Sequence, residues 1–121
     1  MAHNIMHFEI PVDDIERAKK FYQGLFQWRI ESAGPGEQEY YLITTEEGAL
    51  GGGMMKRVMP EQRPVLYVQV ESVDSHIEKI AQAGGQVIVP KTAVPTMGWF
   101  AQALDTEGNV FAVWQNDPQA G

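Results

Sequence analysis

His7 and Glu9 are the residues of this chain whose types and spacing point most directly to chemistry. They stand two positions apart in "IMHFEI", inside an otherwise apolar stretch. In an extended strand that spacing puts both side chains on one face, about 6.8 Å apart along the chain. An imidazole and a carboxylate so placed can act as an acid–base pair or serve as two ligands of a metal ion. They can also form a polar patch satisfied by neighbouring tyrosine or backbone groups. Tyr67 and Gln69 repeat the spacing in a later strand, where they either offer hydrogen bonds that would orient a small polar ligand or stand at a rim in contact with water. Met54 and Met55 follow three glycines and offer an adaptable apolar wall. The triplet Gly51–Gly53 fits no phosphate-loop spacing, because no Lys-Ser/Thr pair follows it. His3, near the start of the chain, and His76, on a helix surface, carry no ligand pattern of their own.

The elements that must position these residues are legible from periodicity. Residues 5–12 alternate, with Phe8, Ile10 and Val12 on one face and His7 and Glu9 on the other. Asp13 reads as a helix N-cap, with Glu16 at capping-box spacing. Ile15, Ala18, Phe21, Tyr22 and Leu25 recur at helical spacing and predict a stripe that packs on the Phe8/Ile10 face. Strands follow at 28–33, 40–45 and 50–58, with a turn at 34–37. The pattern then restarts. Residues 65–70 alternate, Ser72 caps a helix over 71–85, and strands follow at 86–90, 99–105 and 110–115, with a loop at 91–98. Pairing the last hairpin outward from "TEGN" sets Ala103 opposite Ala112 and Ala101 opposite Trp114, with Trp99 beyond. That register puts alanines between two tryptophans on the face shared with Tyr67 and Gln69, which either leaves room for a guest or is ordinary core packing. A one-residue shift would move each of these side chains to the other face.

These elements predict an α+β fold: two βαβββ modules forming a cup-shaped, mostly antiparallel sheet with helices on the outer face. The 121 residues read as a single domain, with module one at about 4–59 and module two at about 64–116. A hydrophobic fraction of 44% is enough for a core. The net charge of −7 argues against nucleic acid and anionic membranes as partners. The absence of cysteine excludes disulfides, thiolate zinc sites and cysteine nucleophiles. With neither a secretory leader pattern nor a membrane-length apolar run, the expected location is cytoplasmic.

The opening "HFEIPVDDIERAKKFYQGLF", the "GGGMM" run and the closing "PKTAVPTMGWFAQALDTEGNVFAVWQ" resemble the vicinal oxygen chelate superfamily, the glyoxalase, bleomycin-resistance and extradiol-dioxygenase fold. The closing Asp105, Glu107, Gly108, Asn109 and Phe111 are the most specific part. Thr106 stands where the family usually has proline. The resemblance implies a homodimer and, in the metal enzymes, one ligand on each of four strands. The first falls on His7 and matches. The second falls within Gly51–Met54, the third on Val65 and the fourth on Ala112, and none of these can ligate a hard cation. A catalytic zinc or facial-triad iron site needs three protein ligands. No metal cofactor is therefore expected, unless ligands outside the family positions contribute.

Two functional readings remain open at the level of sequence. In the first, the protein binds a small aromatic or amphipathic molecule in the cup without metal, as bleomycin-resistance members do. Met54, Tyr67, Gln69, Trp99, Ala112 and Trp114 would line that site. In the second, it is an enzyme of lyase or isomerase type, related to lactoylglutathione lyase, with Glu9 and His7 as its acid–base groups or as ligands of a non-family metal site.

Overall fold

The computed structural model describes residues 3–34 and 39–121. Within them run β1 (Ile5–Val12), α1 (Ile15–Phe26), β2 (Arg29–Ser32), β3 (Tyr40–Thr44), β4 (Gly52–Lys56), β5 (Val65–Gln69), α2 (Val73–Gln82), β6 (Gln86–Val94), β7 (Gly98–Leu104) and β8 (Val110–Asn116). The β-α-β-β-β order occurs twice, and the fold class is α+β, as the periodicity predicts. Apart from Gly34, the turn expected at 34–37 lies outside the described residues. Two compact units divide the chain. One is His7–Val65; the other joins the residues up to Met6 with Leu66–Gly121.

In the first unit the strands lie in the order β2-β3-β4-β1. The β1–β4 pair is parallel and the other pairs are antiparallel. Alternation along β1 sends Ile10 and Val12 to the helix side, where Val12, Ile15, Ile30, Ile43 and Met54 form the buried core. Asp14, not Asp13, caps α1: its backbone is extended and its carboxylate accepts from the Arg17 N–H at 3.0 Å. Asp13 instead pairs with Arg57 at 3.1 Å. The buried stripe of α1 is narrower than expected. Ile15, Ala18 and Tyr22 pack inward, whereas Phe21 and Leu25 remain 59% and 58% exposed. Tyr22 stacks on Trp28, with ring centroids 5.3 Å apart.

In the second unit the order is β5-β8-β7-β6, again with one parallel pair, β5–β8. Ser72 caps α2 by accepting from the Ser75 N–H at 3.1 Å. Val70, Val73, Ala101 and Val113 form this unit's core, with Ile77, Trp99 and Phe111 packed against it. β6 runs on through Lys91–Val94, where a loop was expected. Its ladder absorbs Pro90 through register shifts between Val87 and Thr92, and proline is tolerated there because β6 is the last strand in this order.

The β7–β8 hairpin corrects the sequence-derived register by one residue. Ala103 faces Phe111, Gln102 faces Ala112 and Phe100 faces Trp114. The cause is Asp105. Its carboxylate accepts from the backbone N–H groups of Glu107 and Asn109, at 2.8 and 2.9 Å. These bonds hold Asp105 in the turn and make Leu104–Val110 the first strand pair. Gly108, at φ 83°, supplies the left-handed residue this turn needs.

Candidate functional site

On β1, His7 and Glu9 do share the face turned away from α1. A third residue joins them. The Tyr40 hydroxyl donates to Glu9 Oε2 at 2.9 Å and lies 2.8 Å from His7 Nε2. With its own proton committed to the carboxylate, the phenol oxygen accepts from His7 Nε2–H. The imidazole is thereby fixed as the Nε2–H tautomer, with its lone pair on Nδ1. Burial holds the His7 pKa below the ordinary imidazole range, and the nearby Glu9 carboxylate only partly opposes this. All three side chains are partly buried.

The glycine run makes this contact possible. Tyr40 is on β3 and His7 and Glu9 are on β1, with β4 between them. Gly53 of β4 pairs with Glu9, and a Cβ at Gly53 would overlap the Tyr40 phenol. The missing side chain lets the ring lie across β4. On the opposite face, Gly52 does the same for the ring of Phe8. Tyr40 was not singled out from the sequence. The signal for it was present, because glycine inside a strand marks a place where another group approaches closely.

The second unit carries its own polar-aromatic face. Tyr67 pairs with Ala112, and Gln69 with Trp114. Gln102 pairs with Ala112 and Phe100 with Trp114, so these two residues, both missed from the sequence, join the same face. Gln102 donates to the Tyr67 hydroxyl at 3.1 Å, and the Tyr67 and Phe100 rings lie 6.2 Å apart, edge to face. Trp114 lies over Gly98 and donates to Asn116 at 2.7 Å.

Two of the expected lining residues are elsewhere. Met54 pairs with Ile10 and is fully buried in the helix-side core; Met55, one position on, takes the parity of Glu9. Trp99 is on the α2 side, against Val70 and Val113, as the corrected register requires. Its Nε1–H donates to Asp117 at 2.9 Å, and Lys91 sits 4.5 Å from the ring centroid. The indole N–H holds the Asp117 carboxyl below its usual range.

The residues at the superfamily's ligand positions do not fit a divalent metal. Of those positions only His7 carries a ligating side chain; the others hold glycines or the core residue Met54, Val65 and Ala112. Among the described residues no three His, Cys, Asp or Glu side chains are grouped so as to hold an ion.

Comparison with known proteins places the chain. The sequence profile of the bleomycin resistance protein-like N-terminal family matches residues 4–45. A glyoxylase-like domain-containing protein of Didymella fabae is 30% identical over 119 residues, covering 90% of this chain and 91% of its own. The chain belongs to the glyoxalase/bleomycin-resistance family. CFP32 of Mycobacterium tuberculosis, which carries a provisional glyoxylase assignment, is 29% identical over 93% of this chain. The chain spans 46% of that relative, about half its length. In three dimensions a methylmalonyl-CoA epimerase from Mycobacterium tuberculosis superposes with a TM-score of 0.71 at 13% identity, over 94% of this chain and 88% of its own. That likeness is one of fold, within the vicinal oxygen chelate superfamily to which this glyoxalase/bleomycin-resistance member belongs. Among the described residues no helix is long and apolar enough to cross a membrane.

Proposed function

We propose that this family member binds a small aromatic or amphipathic molecule without the superfamily's metal, on the sheet faces turned away from the helices. The observation that carries this reading is the Tyr40 phenol bridging His7 and Glu9. The two groups at the family's first-ligand strand are satisfied by an organic hydroxyl. The donor set around them has no third carboxylate or imidazole among the described residues. Gln69, Phe100 and Trp114 supply the mix of amide and aromatic surface that holds a flat, partly polar guest. The same reading has the protein working in the cytoplasm as a homodimer. Exposed Phe21, Leu25 and Phe26 at the end of α1 support a self-associating surface, and sedimentation at twice the chain mass is the expected result.

The direction of the hydrogen bonds favours a second reading, an acid–base enzyme of lyase or isomerase type. A proton taken up at His7 Nδ1 can be matched by transfer of Nε2–H to Tyr40 and of the phenol proton to Glu9. That sequence stores the proton on Glu9: the carboxylate is neutralised, while His7 and Tyr40 both end neutral. Glu9→Gln separates the readings. If the protein is a binder, the variant changes ligand affinity and no turnover is ever seen. If it is an enzyme, turnover falls by about 10²–10⁴ while binding persists. A variant with wild-type affinity and wild-type turnover removes Glu9 from both.

A further inference from the structure

A pair of imidazoles lies apart from the Tyr40 network, and the superfamily's ligand positions do not include it. His3 meets His76 of α2 edge to face, with ring centroids 5.2 Å apart. The two line a cavity of about 200 Å³ together with Glu71, Ser72, Ser75 and Lys79. Ser72, Ser75, His76 and Lys79 follow one another at helical i, i+3, i+4 and i+7 spacing, so the cavity runs along a single polar stripe of α2. His3 is held near this stripe because the neighbouring Asn4 carbonyl accepts from the Gln69 N–H at 2.9 Å.

The hydrogen bonding inside this cavity argues against an anion as its occupant. The Ser75 N–H is taken by Ser72 Oγ and the Val73 N–H by the side-chain oxygen of Gln115, so two donors of the helix start are already used. The imidazole is set up differently. His76 Nδ1 lies 3.2 Å from the Ser72 carbonyl. A carbonyl can only accept, so Nδ1 carries the proton and Nε2 carries the lone pair. A backbone carbonyl on the second ring nitrogen is the support that metal-bound histidines generally have, since it fixes the tautomer and orients the ring. Glu71 brings negative charge to the same cavity, which offsets the cationic Lys79.

We propose that His3 and His76 form a two-imidazole site for a late first-row transition-metal dication, Cu²⁺ or Ni²⁺, at the head of α2. Two nitrogen donors with water completing the shell suit these borderline ions. They offer nothing to Mg²⁺ or Ca²⁺, which take oxygen ligands. The affinity order follows the Irving–Williams series, Cu²⁺ above Ni²⁺ above Co²⁺. The site does not depend on the Proposed function, which concerns the His7 face.

The test is a titration of untagged full-length protein with each metal alone, in wild type and in His3→Ala, His76→Ala, His76→Gln and His7→Ala. The expected result is one equivalent of Cu²⁺ bound, with two-imidazole superhyperfine structure in its electron paramagnetic resonance spectrum. Each substitution at His3 or His76 weakens binding by about tenfold or more, the scale on which even an outer-shell partner matters, and His7→Ala leaves it unchanged. His3 is exposed and His76 is half-buried on the polar stripe, and an unaltered melting curve checks that the variants fold. Wild-type affinity in both His76 variants overturns the proposal, including the case in which His3 alone is needed. So does loss of binding in His7→Ala, or a failure of Cu²⁺ to exceed Co²⁺.

Discussion

Tyr40 is the residue on which the polar face turns. Its hydroxyl touches both His7 and Glu9 by hydrogen bonds, so removing it withdraws a donor from a carboxylate and an acceptor from an imidazole. Tyr40→Phe is expected to destabilise the fold by about 1–3 kcal/mol, the range for leaving partly buried polar groups short of a partner. Urea unfolding measures it, and a change under about 0.5 kcal/mol, the range of an ordinary surface substitution, would mean the bridge carries little. His7 itself gives a second reading. Its folded pKa is depressed by burial, so between the folded value and the ordinary imidazole value the unfolded chain binds more protons. The His7 contribution to stability is therefore complete above about pH 6.5 and falls as the pH drops below it. In His7→Gln this part of the pH dependence should vanish, and an unchanged slope would contradict it. His7 and Glu9 were legible in the sequence because a period-2 pattern places polar groups by parity. Tyr40 was not, because its role depends on which strand lies between β1 and β3, and local periodicity carries no strand order.

At the scale of elements, glycine and turn chemistry decide what each face presents. Gly53 is needed by the Tyr40 ring that crosses β4. Gly53→Ala should displace that ring, with a cost of about 1–3 kcal/mol for overpacking and a changed tyrosine near-ultraviolet signal. An alanine variant as stable as wild type would mean the ring does not lie there. The β7–β8 turn shows where sequence reading stopped. Both strands were legible from alternation, but the register rests on one side chain, Asp105, closing the turn on itself. Moving the first pair to Leu104–Val110 sent Trp99, Ala101 and Ala103 to the helix side and brought Phe100 and Gln102 to the other. The backbone N–H groups of Asn109 and Glu107 depress the Asp105 pKa. Its stabilisation is therefore present above the ordinary aspartate range and is lost as the pH falls through its folded value. Acid unfolding followed by circular dichroism should show a shallower loss below about pH 4 in Asp105→Asn, and identical acid profiles would remove Asp105 from the account.

At the scale of the whole molecule, the twofold β-α-β-β-β pattern, the α+β class and the family were all readable from alternation, caps and the closing motif. Function was less so, because the same scaffold serves metal enzymes and metal-free binders, and the difference lies in a few side chains. Here the candidates are a bridged His-Tyr-Glu set in one unit and a Tyr-Gln-aromatic face in the other. The measurement that tests this most directly is the melting temperature of untagged protein, stripped with EDTA, against a panel of planar aromatic compounds. A compound at about 100 times its Kd stabilises the native state by about 2.7 kcal/mol, a rise of several degrees. The account predicts such a shift in the presence of EDTA, and predicts its reduction in Tyr40→Phe. A shift that appears only when a divalent metal is restored, and that disappears in His7→Ala, would contradict it.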